Sequence, residues 1–229
     1  MSFIGHLTEL RARLAWCLAC VLLSSILGYI LAPTLIRILL LPLHAPVYYS
    51  SPAGGFSLLI AIAMMFAVIA SLPVLLFHGM RFVLPAFRLP VRAITLLVGS
   101  SWFLAGSGIA FAYFLSLPAA LRFLQGFASP QVRSLITADQ YFSFVTRYLL
   151  LFGVLFQLPL IFLLVDRIAR VQPRKLLRYQ RHLVVAAFVI GALFSPAIDP
   201  VNQTLVALPI IALYYVSLGL LAIVHARRT

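Results

Sequence analysis

The sequence predicts an all-α membrane protein: six spans packed as a kinked, concave bundle. Three observations carry that reading. Hydrophobic residues make up 64% of the 229 residues and charged residues 9%, with a mean hydropathy of +1.12. No soluble fold hides that much apolar surface. Apolar runs long enough to cross a bilayer recur along the chain, separated by short linkers rich in Pro, Gly, Ser and Arg. The cations gather in alternate linkers, as membrane topology requires. A net charge of +13 could suggest nucleic acid, but these cations lie between apolar runs and form no soluble face.

The first run, Ala15–Ala32, follows a charged arm, Ser2 to Leu14, read as a small basic helix at the membrane surface. The run is longer than a signal-peptide core and no A-x-A site follows it, so it reads as a retained span. Cys17 and Cys20 lie inside it. A redox pair would need a βαβ context, so they read as small packing residues. The next spans are Phe56–Phe77, Ala93–Leu117 and Phe142–Val165. The fifth, Leu183–Ile198, reaches only about 24 Å against a hydrocarbon core of ~30 Å. Ser195-Pro196 shortens it further, and a short polar link, Asp199 to Gln203, leads into the sixth, Thr204–Val224. Such a hairpin either thins the bilayer locally or is shielded by a tilted neighbour. Pro73, Pro118, Pro159 and Pro209 lie in or at the ends of spans and bend them. No polar stretch is long enough for a separate soluble domain, so residues 1–229 read as one transmembrane domain.

Charge sets the orientation. With both termini inside, thirteen of the seventeen Lys and Arg face the cytoplasm, six of them between Arg167 and Arg181. Only Arg37, Arg122, Arg133 and Arg147 fall on the other side. Arg122 and Arg147 are expected to snorkel to that interface.

Chemistry is sparse. No H-E-x-x-H, G-x-S-x-G, Walker loop or metal-spaced Cys/His cluster is present, so no catalytic residue, metal or cofactor is expected, and an enzyme is disfavoured. The acids are Glu9, Asp139, Asp166 and Asp199. Glu9 stands in the cationic arm, where it either grips a cationic ligand or pairs with Arg13 at i+4 in an interfacial helix. Asp166 reads as a local ion pair with Arg167. Phe82 and Pro85, in the loop after span two, read as an aromatic belt or as a platform for an apolar peptide. Gln157, inside span four, is expected to face a polar groove or a neighbouring helix.

Five segments in order resemble the TatC family, the multi-spanning subunit of the twin-arginine protein translocase. They are His6-Leu7-x-Glu9-Leu10-Arg11-x-Arg13-Leu14, Phe82 to Ala86, Gly108 to Phe114 with Pro118, Phe152 to Pro159, and Ser195-Pro196 with Asp199 to Pro209. The resemblance covers nearly the whole chain. It implies six helices in a glove shape, residence in a cell membrane with both termini cytoplasmic, and single-span TatA/TatB-type partners. It also implies recognition of twin-arginine signal peptides, with Glu9, Arg11, Phe82 and Pro85 as binding residues. Gln157 and Tyr215 then become intramembrane polar contacts, and Asp199 and Gln203 belong to the far-side hairpin. The chain departs from the family at three acidic positions, which here are Pro90, Gln157 and Tyr215. A diverged paralogue with altered cargo, a small-solute transporter and a membrane scaffold are the competing readings. Transport coupled to protons or sodium fits poorly, because midplane acids are nearly absent and no inverted repeat is found.

Overall fold

A computed structural model describes residues 3–43, 45–83, 91–126, 135–169, 176–194 and 199–226. Those residues are almost wholly helical. In order they form α1 (Phe3–Leu40), α2 (Gly54–Val83), α3 (Val91–Phe111), a π-helical turn (Ala112–Ser116), α4 (Leu117–Gln125), α5 (Ala138–Leu155), α6 (Leu158–Ala169), α7 (Gln180–Phe194) and α8 (Pro200–Ala226). Five continuous stretches are long and apolar enough to cross a bilayer, and α7 is a shorter apolar helix.

Several helices run past the spans read from the sequence: α1 continues beyond Ala32 to Leu40, and the third span continues beyond Leu117 to Gln125. The arm is not a separate surface helix: α1 runs unbroken for 38 residues, about 57 Å at 1.5 Å per residue. Nothing between Leu14 and Ala15 breaks a helix, so the arm is the overhang of the first span. Likewise α2 continues to Val83, so His78 to Val83 are helical and not loop.

Prolines account for the interruptions. Pro lacks an N–H, and its ring clashes with the carbonyl four residues back. Pro159 therefore breaks span four, and α5 ends at Leu155 with α6 starting at Leu158. Pro118 follows the π-helical turn, which absorbs the misfit and lets the helix resume as α4.

Inside a bilayer, apolar burial does not drive helices together; close van der Waals packing and hydrogen bonds do. α5 is the central helix. Phe142, Val145, Tyr148 and Phe152 are buried on one face of it, and the rings of Phe144, Tyr148 and Phe152 stand 5.2 Å apart in succession. The Tyr148 hydroxyl shares a 2.7 Å hydrogen bond with Ser116 Oγ, in the π turn. At Gly108 an added Cβ would lie 2.6 Å from the Phe152 carbonyl oxygen, so α3 reaches α5 only because that side chain is missing. Gly191 brings α7 equally close to α8: a Cβ there would meet the Gln203 carbonyl oxygen at 2.8 Å.

Hydrogen bonds identify the two ends of the bundle. The last carbonyls of α1 would be unsatisfied at a helix terminus. Tyr113 donates to Ile38 at 2.7 Å, Tyr141 to Leu39 at 2.6 Å and Gln125 to Leu43 at 3.1 Å. A bridge joins Tyr48 to Thr137. The end of α1, the start of α2, the end of α4 and the start of α5 therefore share one end. At the other, Tyr214 of α8 donates to Leu176 just before α7, and His225 of α8 meets Asp166 of α6. The start of α1 and the end of α8 belong to this second end, since the helices alternate in direction.

Candidate functional site

The terminal end carries the arm. Glu9 and Arg13 lie one turn apart on α1, and the Arg13 guanidinium holds Glu9 Oε1 through Nε at 3.1 Å and also through Nη2. Both side chains are partly exposed, at 26% for Glu9 and 15% for Arg13. Arg11 and Leu10 point outward from the same turns. Phe82 lies in α2, but its side chain and all of Pro85 lie outside the described residues.

The remaining acids are each committed elsewhere. Asp166 is 1% exposed, and His225 Nε2 meets its Oδ1 at 2.8 Å. The end of α8 thus supplies one partner; the Arg167 side chain, and with it the sequence-adjacent pair, lies outside the described residues. Asp199 caps α8: its Oδ2 accepts from the Asn202 N–H at 2.7 Å and its Oδ1 from Asn202 Nδ2 at 3.0 Å. Pro200 follows in the first helical position, where a missing N–H costs nothing. Asp139 sits in the first turn of α5, at the opposite end, and accepts from Ser50 at 2.9 Å.

Gln157 occupies the break between α5 and α6 and is 1% exposed. Its amide is fully engaged. Oε1 accepts from Ser101 Oγ at 3.0 Å, and Nε2 donates to the carbonyls of Ser101 and Gly153, each at 3.2 Å. It clasps α3 to the break. Tyr215 is half-exposed on α8 and donates to Gln180 Oε1, at the start of α7, at 3.2 Å. Gln203 places its backbone against Gly191, and its side chain is half-buried.

The structure therefore separates the residues singled out in the sequence. Glu9 and Arg11 belong to the terminal end, Asp199 and Gln203 to the opposite end, and Gln157 is enclosed within the bundle. Sequence reasoning missed Ser101 and His225. Ser101 sits in a small-residue run, Gly99-Ser100-Ser101, a signal for close helix approach. His225 carried no local signal, because its partner lies 59 positions away.

Residues 5–209 match the family model described as Sec-independent protein translocase protein (TatC). The chain is 32% identical over 228 residues to the Sec-independent protein translocase protein TatC of Aquifex aeolicus (strain VF5), covering 96% of this chain and 94% of that one. It is 31% identical to TatCd of Bacillus subtilis (strain 168), covering 98% of this chain and 93% of the relative. Its fold is similar to a crystal structure of the twin arginine translocase receptor TatC in DDM, with a TM-score of 0.84, 33% identity, and coverage of 94% of this chain and 98% of that one.

Proposed function

The chain belongs to the TatC family of Sec-independent protein translocase proteins, and on that premise we propose that its terminal end receives twin-arginine signal peptides through Glu9. One observation carries the proposal. Of the acids, Asp199 is used as a helix cap, Asp139 lies at the far end, and Asp166 is buried against His225. Glu9 is the acid on the protruding turns of α1, and its bond to Arg13 is an i,i+4 pair at a partly exposed site. Such a pair is worth about 0.3–0.5 kcal/mol. An incoming guanidinium can instead take both carboxylate oxygens bidentately, in two parallel charge-assisted bonds, whereas Arg13 holds Oε1. Arg13 thus holds the place of a peptide arginine and yields to it.

The rest of the assignment follows the same reading. Arg11, Phe82 and Pro85 flank the peptide. Gln157 and Tyr215 mark polar contacts within the bundle, and Asp199 and Gln203 shape the far hairpin. Both termini are cytoplasmic in a cell membrane, and single-span TatA/TatB-type proteins complete the translocase that moves folded cargo. The neutral residues at Pro90, Gln157 and Tyr215 leave Glu9 to do most of the electrostatic work.

The test is site-specific cross-linking of a twin-arginine peptide to the membrane-inserted chain. Glu9→Ala should weaken capture roughly 10- to 100-fold. Arg13→Ala should leave capture equal or stronger, because a competitor is gone. If neither variant changes capture, Glu9 is only the helix partner of Arg13 and the assignment fails.

A further inference from the structure

At the end of the bundle away from the termini lies a cavity of about 330 Å³ between α5 and α7. Asp139, Ser143 and Arg147 line it at successive i,i+4 positions of α5, with Phe144 beside them and Leu193 and Phe194 from the end of α7. Asp139 and Arg147 do not pair with each other. Arg147 Nη2 instead donates to Ser143 Oγ at 2.5 Å, and Ser50 donates to Asp139 Oδ2 at 2.9 Å. The Ser143 bond folds the guanidinium back towards the start of α5, the turn that carries Asp139. Arg147 is exposed and belongs to a membrane-crossing stretch, Ala138–Asp166. A guanidinium placed there must reach water or an anion at the interface.

We propose that this cavity is a binding site for the headgroup of an amine-bearing phospholipid. The phosphate lies against Arg147 and Ser143, and the primary ammonium lies against Asp139. A phosphate and an amine joined through a two-carbon bridge lie along the gap between the two charges, each within hydrogen-bond reach of its partner. The apolar wall decides for a lipid over a free phosphate ester: Leu193 is 73% exposed on the outer surface, and with Phe144 and Phe194 it offers an acyl chain a track out of the cavity. Asp139 supplies the selectivity. A glycerol headgroup brings no cation to it, and a trimethylated amine brings a cation with no N–H to donate. The site is independent of the terminal end, so its failure would leave the peptide assignment untouched.

Native mass spectrometry of the purified chain, titrated with phosphatidylethanolamine, phosphatidylglycerol or phosphatidylcholine, tests this. The wild type should hold phosphatidylethanolamine severalfold more tightly than the other two. Arg147→Gln should lower retention of phosphatidylethanolamine about tenfold. Asp139→Asn should keep phospholipid binding but erase the preference for the amine. Arg147→Lys should retain most binding, which separates loss of charge from loss of fold. Inorganic phosphate in large excess should not displace the lipid. Equal retention of all three lipids by the wild type, an Arg147→Gln profile identical to wild type, or displacement by phosphate alone would each overturn the proposal.

Discussion

At the scale of single residues, two polar side chains behave oppositely. Glu9 is partly exposed and bonds Arg13 one turn away on its own helix; Gln157 is buried and bonded across to a second helix. Interhelical hydrogen bonds in membranes average about 0.6 kcal/mol each, with larger cases near 1.7. Gln157→Leu loses the bonds to Ser101 Oγ, to the Ser101 carbonyl and to the Gly153 carbonyl. The variant should be less stable by about 1–2 kcal/mol, read by reversible unfolding in mixed micelles. Unchanged stability would show that the clasp contributes nothing net. The Glu9–Arg13 pair was legible in the sequence because i and i+4 are neighbours on any helix. The partner of Gln157 lies 56 positions away, and only packing of α3 against the α5–α6 break brings it near.

Among the elements, the α7–α8 hairpin is the most closely specified. Asp199 caps α8, Pro200 starts it, and Gly191 lets the backbone of Gln203 approach. Asp199→Ala removes the cap and should cost about 1 kcal/mol. Gly191→Leu puts a side chain where a Cβ already stands 2.8 Å from a carbonyl oxygen, so α7 must move away from α8. It should destabilise the fold far more than Asp199→Ala, seen as faster proteolysis of the hairpin in membranes. Equal protease resistance for wild type and Gly191→Leu would contradict the packing described. The shortness of this hairpin was readable from residue counting, and the breaks at Pro118 and Pro159 from proline chemistry. The true extent of α1 was not. Hydropathy marks where a helix is apolar, and it carries no information on whether a polar flank continues the same helix.

For the whole molecule, composition and span counting were enough for the fold class, because a bilayer admits so few backbone solutions. Orientation rests on charge: thirteen of the seventeen cations fall on the side assigned to the termini. With Cys17 and Cys20 replaced, a cysteine at Ser50 should react with an impermeant thiol reagent on intact cells, and one at Lys175 only after lysis. Labelling of Lys175→Cys from outside would invert the topology. The central claim is that this chain is a translocase subunit that reads paired arginines. Its most direct test is complementation of a strain lacking its own TatC-family subunit, with this chain supplied beside its own TatA/TatB-type partners. The readout is export of a folded fluorescent reporter bearing a twin-arginine signal. Export should appear with the wild-type chain, fall sharply with Glu9→Ala, and vanish when both signal arginines become lysine. A chain that inserts stably yet exports no reporter, or exports the two-lysine signal as well as the two-arginine one, would contradict the account.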